Sequence, residues 1–181
     1  MVTKNLKNLE LELSVNRNIT LKILVEENVS DSYVGWLNDY EVTKYTEQNY
    51  YKHTFDTVRN FVNQKYYSHN DLLFGIFFKG IHIGNIKLGP IKFEHMSADI
   101  SYFIGEKNFW GKGIASLCVK SIVKFAVNEL DMKKISAGYY ENNIGSEKVL
   151  AKCGFSVEGI CQSSVIFENK RINSIIVGYV P

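Results

Sequence analysis

The sequence predicts an α+β (mixed α/β) domain with a mostly antiparallel, twisted sheet, one parallel pair of strands and about four flanking helices. Three observations lead to this fold class. An early strand and two helices precede an antiparallel meander, which excludes a purely doubly wound sheet. A strand–helix–strand–helix order then requires one right-handed crossover before the closing strands. With 181 residues, 45% hydrophobic and 22% charged, residues 1–181 are expected to form a single domain.

The overall composition narrows the class of protein. The formal net charge is +2, from 21 Lys and Arg against 19 Asp and Glu, so no strong field favours nucleic acid or a membrane surface. No apolar run approaches the roughly 20 residues of a membrane-spanning helix, and the first residues lack the apolar core of a secretory signal. Three cysteines without metal-type spacing indicate reduced thiols. We expect a cytoplasmic protein without a metal, present as a monomer or homodimer.

The first half of the chain predicts a strand, two helices and a hairpin. Residues 1–15 are expected to form a loosely attached arm. The alternating ITLKILV, from Ile19, predicts the first strand. Ser30 is a candidate cap for a helix through SDSYVGWLNDYEV, and Thr54 or Asp56 for a second helix through TVRNFVNQKYY. LLFGIFF and IHIGNIKLG, joined by a Lys-Gly turn, predict the hairpin.

The second half alternates strands with helices. SADISYFIG and KKISAGYY predict strands, separated by a helical spacing of apolar residues from Ile114 to about Glu129. NIGSEKVLAKCGF predicts a short helix that ends at Gly154. VIFE and INSIIVGYV predict a closing hairpin.

The segment NFWGKGIASLCVK, from Asn108, has the character of a phosphate-binding turn because two glycines precede an apolar-periodic run. A P-loop would need Ser or Thr after Lys112, where Gly113 stands. A dinucleotide fingerprint would need a third glycine where Ser116 stands, and no second mononucleotide half follows. Two interpretations remain: backbone N–H groups that converge on an anion at a helix N-terminus, or a tight strand-to-helix turn.

Two blocks around this turn carry a family resemblance. In SADISYFIGEKNFWGKGIAS, Asn108, Gly111 and Gly113 follow a Q/R-x-x-G-x-G/A pattern, with Asn in place of Gln or Arg. In ENNIGSEKVLAKCGF, Asn143 and Ser146 form an N-x-x-S motif. The order and spacing of the blocks resemble the GCN5-related N-acetyltransferase (GNAT) superfamily. The resemblance covers roughly 17–180.

Further detail is similar to one branch of that superfamily, the ribosomal-protein N-terminal acetyltransferases: Trp110 before Gly111, the WLND segment from Trp36, and the closing hairpin. The resemblance implies direct transfer of acetyl from acetyl-CoA to a primary amine. It implies that the parallel strands splay apart at the cofactor site and that the strand before the turn carries a bulge. The residues it implies for acetyl-CoA binding are Phe103, Ile104, Asn108, Trp110, Gly111, Lys112, Gly113, Ile114, Ala115, Asn143 and Ser146.

Two residues are candidates for acid–base catalysis. Asp99 is a carboxylate inside an otherwise apolar strand, where many relatives of this branch carry an acidic residue, so it is the candidate base; the alternative is a structural carboxylate. Many relatives use a Tyr as general acid, but Leu150 stands at that place here. Ser146 is then the candidate donor to the leaving thiolate, with helix capping as the alternative. Tyr139 and Tyr140 are further candidate donors.

The segment NYYKHTF, between the two early helices, stands where this branch builds one wall of its acceptor pocket. Its aromatic and basic character suits a small anionic amine, and an amino-sugar nucleotide is the favoured acceptor. A protein N-terminus, a polyamine, an antibiotic, and acetyl-CoA binding without turnover stay open as alternatives. Neither nucleic acid nor a membrane is expected as a partner. The residues expected to bind the acceptor are Tyr50, Tyr51, Lys52 and Tyr139.

Overall fold

A computed structural model describes residues 12–181, and its strands form one eight-stranded sheet. The strands are β1 Glu12–Asn16, β2 Ile19–Ile23, β3 Leu72–Phe78, β4 Ile81–Lys92, β5 Ser97–Ile104, β6 Lys134–Tyr140, β7 Ser156–Phe167 and β8 Lys170–Tyr179. Their spatial order is β1-β2-β3-β4-β5-β6-β8-β7. Neighbours are antiparallel except β5 and β6, which are parallel. The predicted fold class is therefore confirmed.

Five α-helices flank the sheet within these residues. They are α1 Asp31–Leu37, α2 Tyr40–Thr43, α3 Phe55–Tyr66, α4 Ile114–Leu130 and α5 Ile144–Lys152. None of them is long and apolar enough to cross a membrane.

The predicted caps of the early helices are confirmed. The Ser30 side chain accepts a hydrogen bond from the Tyr33 N–H, and Thr54 accepts one from the Thr57 N–H. The single helix expected after Ser30 is divided into α1 and α2, which is why five helices form rather than about four. Asp39 starts α2 by accepting from the Glu41 N–H. Asp favours such local bonds over the continuing ladder of a helix interior.

Two strands differ in extent from the sequence prediction. β1 pairs with β2, so residues 12–15 belong to the sheet and not to a loose arm; residues 1–11 lie outside the described part of the chain. β7 begins at Ser156, well before the predicted VIFE segment. It is an edge strand, mostly exposed, and its register with β8 shifts twice. Such a strand lacks the alternation that marks a half-buried strand.

Apolar side chains pack on both faces of the sheet. Leu73 and Phe74 are consecutive in β3 and therefore face opposite sides. Phe74 belongs to the larger cluster, which includes Ile122 and other residues of α4. Leu73 belongs to a smaller cluster with Trp36 of α1 and Val62 of α3. Burial of each such side chain stabilises the fold by about 1.5–3 kcal/mol, and together these clusters fix the helices on the sheet.

The parallel pair separates after only three paired positions. Ser97, Ala98 and Asp99 of β5 pair with residues 134–136 of β6, and beyond them the two strands diverge. β5 continues to Ile104 against β4 alone. The irregularity beside this gap lies in β4, between Leu88 and Ile91, and not in β5 as the family resemblance implied. The extra residues of β4 stand opposite Asp99.

The segment between α1 and α3 rests on the tip of the β7–β8 hairpin. Tyr45 stacks on Phe167 with ring centroids 5.1 Å apart. The Tyr50 hydroxyl donates to the Ile166 carbonyl at 2.9 Å. The Tyr40 hydroxyl donates to the Glu168 carboxylate at 3.3 Å. These contacts fix the segment against the β7–β8 hairpin.

Candidate active site

A first cavity, of about 610 Å³, lies where β5 ends and α4 and α5 begin; we call it the cofactor groove. Its apolar walls come from the end of β5 and the first turn of α4. Three lysines and one glutamate add charge at its margin. The lining residues include Glu41, Lys44, Thr46, Tyr102, Phe103, Ile104, Trp110, Gly111, Gly113, Ile114, Ala115, Ser116, Asn143, Ser146, Lys148, Val149 and Lys152.

The turn into α4 has the geometry of an anion site. Gly111 and Gly113 have φ of 71° and 73°, the left-handed region that favours glycine, and Gly113 caps the 17-residue α4. A Cβ at either glycine would meet no other residue's atom within 4 Å, so the space over the turn is open to a ligand. The Trp110 indole N–H donates to the Ile104 carbonyl at 2.8 Å and fixes the turn to β5. With the helix dipole, this turn fits a diphosphate.

The start of α5 places a hydroxyl at the groove. Asn143 caps α5, because its Oδ1 accepts from the Ser146 N–H at 3.1 Å. The capping alternative for Ser146 is therefore wrong, and its side chain is available for another bond. Ser146 Oγ lies 2.9 Å from the Tyr102 hydroxyl. Leu150, one turn further, is buried in the core with 1% exposure and cannot replace a catalytic Tyr.

Tyr102 is a phenol that the sequence did not single out. Burial raises its pKa to about 12, against the opposing effect of the hydrogen bond with Ser146. The phenol therefore keeps its proton at neutral pH, and its O–H can act as a hydrogen-bond donor. Tyr102 lies in the part of β5 beyond Asp99, the last residue paired with β6, and it also borders the second cavity.

The second cavity, of about 600 Å³, lies between α3 and the β4–β5 face of the sheet; we call it the acceptor cavity. Cross-strand neighbours Lys87 with Ser101, and Asn85 with Phe103, form its floor. Thr46, Tyr102 and Phe103 line both cavities. Other lining residues are Tyr33, Leu37, Glu47, Gln48, Tyr51, Lys52, His53, Thr57, Val58, Phe61 and Leu73.

A pair formed by the half-buried His82 and the buried Asn85 supports that floor. His82 Nε2 lies 3.0 Å from the Gly84 carbonyl and 2.7 Å from Asn85 Oδ1, and both partners accept, so Nε2 carries the proton. Burial lowers the pKa of His82, which favours the neutral ring. Asn85 Oδ1 must then face His82. Asn85 Nδ2 has no hydrogen-bond partner within residues 12–181. Tyr33 lies near this amide: burial raises the pKa of the Tyr33 phenol, and the amide of Asn85 lowers it by a smaller amount.

Most of the residues predicted for acetyl-CoA come together in the cofactor groove. Two do not line it. Asn108 is exposed in the short turn before Trp110, and Lys112 extends over the Phe109 ring, with Nζ 5.3 Å from its centroid. Those that line the groove are Phe103, Ile104, Trp110, Gly111, Gly113, Ile114, Ala115, Asn143 and Ser146.

The predicted acceptor residues divide in the same way. Tyr51 and Lys52 line the acceptor cavity. Tyr50 lines neither cavity, because its hydroxyl is bonded to the β7–β8 hairpin. Tyr139 also lines neither cavity; it packs against the larger apolar cluster.

Asp99 lies near the acceptor cavity but outside its lining. It is exposed, and it shares a strand face with Ser101 and Phe103, which line the cavity. One two-residue step along β5, about 7 Å, separates it from Ser101. Its assignment as the base stays a prediction.

Sequence reasoning also missed the carboxylate of the acceptor cavity, Glu47, and one of its two cations, Lys87. Glu47 stands in a short 3₁₀ turn, where no periodic pattern marks a residue. Lys87 and Asn85 lie inside a strand that was read only as half of a hairpin. The single signal available for Glu47 was its position just before NYYKHTF. Residues 12–181 contain no cluster of His, Cys, Asp and Glu suited to a metal ion.

Comparison with known proteins agrees with this geometry. The family described as "Acetyltransferase (GNAT) domain" matches residues 18–156. The chain is 36% identical over 99 residues to the probable N-acetyltransferase YjcK of Bacillus subtilis, covering 52% of this chain and 54% of that protein. It is 28% identical over 96 residues to the putative ribosomal N-acetyltransferase YdaF of the same organism, covering 53% of this chain and 52% of that protein. The chain thus spans about half the length of the curated relatives it matches.

Solved structures share the whole fold at low identity. The ribosomal L7/L12 N-acetyltransferase RimL with coenzyme A aligns with a TM-score of 0.85 and 15% identity, over 94% of this chain and 98% of that chain. Spermidine N-acetyltransferase of Vibrio cholerae with CoA and spermine aligns with a TM-score of 0.79 and 19% identity, over 91% of this chain and 96% of that chain. The fold and the family match together establish that this chain belongs to the GNAT acetyltransferase family.

Proposed function

We propose that this chain is an acetyl-CoA-dependent N-acetyltransferase that transfers acetyl directly to the primary amine of a small acceptor. One observation carries the proposal: the cofactor groove and the acceptor cavity share Thr46, Tyr102 and Phe103 as a common wall. A thioester in the groove and an amine in the cavity would meet at that wall. Holding two reactants in contact supplies a large part of the acceleration in such a transfer.

The groove residues suit the parts of acetyl-CoA. Backbone N–H groups at the start of α4, from Gly113 onward, are oriented to bind the diphosphate. Lys148 and Lys152 of α5 line the same groove and supply positive charge for phosphate groups. The end of β5, which has no strand partner on its β6 side, leaves main-chain groups for the pantetheine arm.

The leaving thiolate needs a proton, and the paired hydroxyls of Tyr102 and Ser146 are the donors we assign. Both line the groove, and their oxygens are 2.9 Å apart. The phenol is protonated at neutral pH, since burial raises its pKa to about 12, so its O–H can donate to the sulfur as the thiolate forms; the geometry of the pair, and not the raised pKa, supports this assignment. This pair takes the place of the Tyr that is absent at Leu150, so the absence of that Tyr does not by itself favour acetyl-CoA binding without turnover.

For the acceptor we favour an amino-sugar nucleotide. A cavity of about 600 Å³ suits a small ligand. Lys52 and Lys87 line it and favour an anionic group, and Tyr51 and Phe61 offer aromatic surface to a sugar or base. A protein N-terminus, a polyamine and an antibiotic are the competing acceptors.

A rate comparison tests the proposal. CoA release would be followed with a nucleotide-linked amino deoxysugar, a serine-initiated peptide, spermidine and an aminoglycoside. We expect the sugar nucleotide to react fastest and Lys52→Ala to raise its KM about tenfold or more, the size of a charged hydrogen bond. Lys92→Ala is the matched control, because Lys92 is exposed and lines neither cavity.

The other outcomes discriminate between the alternatives. A preference for spermidine or the peptide that Lys52→Ala leaves unchanged would contradict the sugar acceptor but keep the enzyme. CoA binding without transfer to any amine would favour a non-catalytic acetyl-CoA-binding protein.

A further inference from the structure

Glu47 is the carboxylate of the acceptor cavity. Among the described residues that line this cavity, it alone carries a negative side chain, whereas Lys52 and Lys87 carry positive ones. Thr46, its neighbour, lines both cavities, so Glu47 stands at the end of the acceptor cavity that meets the cofactor groove.

The carboxylate is held in place from two sides. Thr46 Oγ1 accepts from the Gln48 N–H at 3.3 Å and donates to the Thr43 carbonyl at 2.8 Å, which fixes the turn that begins at Glu47. The Tyr140 hydroxyl donates to Glu47 Oε1 at 2.6 Å. Tyr140 is 9% exposed, at the end of β6, so this bond anchors the carboxylate to the sheet.

The same anchor reaches the proton donors of the groove. The Asn143 N–H donates to the Tyr140 carbonyl at 2.7 Å, and Asn143 in turn caps α5 at Ser146. Tyr140 therefore connects the carboxylate on the amine side with the hydroxyl on the thioester side. Because one Glu47 oxygen is bonded to Tyr140, the other is left to receive a donor from the cavity.

We propose that Glu47 binds the ammonium group of the acceptor and takes its proton, so that it is a catalytic residue of the transfer; this inference rests on the proposed function. The ammonium gives one proton to Glu47, which passes it to water. The nitrogen lone pair then forms the C–N bond with the thioester carbon, and the C–S bond breaks with its electron pair on sulfur. Sulfur takes the Tyr102 proton, and the second proton lost from nitrogen restores the phenol through solvent.

The arrangement also restricts the acceptor class. One carboxylate at the reactive end and two lysines elsewhere in the cavity favour an acceptor with an ammonium at one end and an anionic group at the other. A polycation would place its remaining ammonium groups beside Lys52 or Lys87, which repel them.

Glu47→Gln tests the role of Glu47, since it keeps the acceptor atom for Tyr140 but removes the charge. With the fastest amine of the panel above, we expect kcat/KM to fall by roughly 10²–10⁴, the range for general acid–base catalysis. CoA affinity measured by calorimetry should stay within about twofold. Tyr140→Phe keeps the Glu47 carboxylate but removes the hydrogen bond that holds it in place. We therefore expect kcat/KM to fall about tenfold, mainly through kcat.

Asp56→Asn is the matched control, because Asp56 is exposed near the same segment and lines neither cavity. Glu47→Gln turnover within about twofold of wild type, or a loss equalled by Asp56→Asn, would overturn the inference. So would a large loss in Asp99→Asn with normal Glu47→Gln turnover, which would make Asp99 the base. Absence of transfer by the wild type would overturn the proposed function itself and this role with it.

Discussion

Gly113 combines an unusual backbone with an open space, and each has its own consequence. Its φ of 73° disfavours any side chain, most of all a β-branched one. A side chain there would also occupy the space over the start of α4 in which the diphosphate is expected. We expect Gly113→Val to weaken CoA binding by at least about tenfold, about 1.4 kcal/mol, in isothermal titration calorimetry.

Gly80→Val separates the two consequences. Gly80 also has a positive φ, 82°, with open space around it, but it lies in the β3–β4 turn and lines neither cavity. Both variants should lose stability through backbone strain of about 1–3 kcal/mol. Only Gly113→Val should lose CoA affinity; equal affinities in the two variants would contradict a diphosphate site at this turn.

Tyr102→Phe removes the phenol and keeps the ring that lines both cavities. We expect kcat to fall roughly 10²–10⁴-fold, because the thiolate then loses its main proton donor. The wild-type enzyme should show no loss of kcat from phenol ionisation below about pH 11, since a donor with a pKa of about 12 stays protonated there.

Ser146→Ala is the companion measurement for Tyr102. It removes the hydrogen-bond partner but leaves the phenol, so a smaller loss of kcat is expected. A Tyr102→Phe variant with near-normal kcat would contradict the assigned donor.

For single residues, the sequence predicted backbone geometry better than the chemistry of side chains. Gly111 and Gly113 were identifiable because a turn with positive φ favours glycine. Asn143 was named only through the family motif, and its capping role was not predicted, because Ser146 was the candidate cap. Tyr102 was not identifiable, because strand alternation placed it on the face opposite to Phe103. The divergence of β5 from β6 opens both faces at that point, and a divergence between strands distant in sequence leaves no local pattern.

Asp71 joins α3 to the β3–β4 hairpin. Its carboxylate accepts from Lys65 Nζ at 2.8 Å and Ser68 Oγ at 3.0 Å, and Lys87 Nζ lies 3.6 Å away. Burial raises the pKa of Asp71, but these donors and charges together lower it below its ordinary value. We expect Asp71→Asn to lower the free energy of unfolding at pH 7 by about 1–3 kcal/mol in urea denaturation.

The difference in the free energy of unfolding between wild type and Asp71→Asn should depend on pH, and the direction of this dependence can be derived. A carboxyl with a lowered folded-state pKa stabilises the fold above its unfolded pKa of about 3.9, and this contribution is lost as pH falls through the folded value. The difference between wild type and Asp71→Asn should therefore shrink from pH 7 to pH 3. Asp131→Asn, which breaks an exposed ion pair with Lys133, should change stability by less than about 1 kcal/mol. A constant difference across this pH range would contradict the role of Asp71.

Elements with a strong periodic pattern were predictable, and those set by long-range contacts were not. α4 agrees with the apolar spacing from Ile114, and β3 and β4 agree with the predicted hairpin. The early part of β7 was missed because an exposed edge strand buries little on either face. The break between α1 and α2 was missed because Asp39 reads equally well as a helical residue or as a cap.

For the whole molecule, CoA should act as a stabilising ligand of the folded state. At 100 times its Kd, a ligand that binds only the folded chain adds about 2.7 kcal/mol. For a chain of this length that corresponds to a rise in Tm of roughly 5–10 °C. This rise in Tm can be measured by differential scanning fluorimetry with CoA, and NAD serves as the control dinucleotide. A shift with NAD equal to that with CoA would revive the dinucleotide-binding interpretation of the turn.

The shared wall of Thr46, Tyr102 and Phe103 has a thermodynamic consequence. When a ligand in one cavity moves or orders these side chains, it changes the free energy of binding in the other, even if the two ligands never touch. Such coupling is reciprocal: if CoA tightens the acceptor tenfold, the acceptor tightens CoA tenfold. The two Kd ratios, measured independently, must then agree. Substitutions at this wall will alter cooperativity between the substrates as well as the affinity for each.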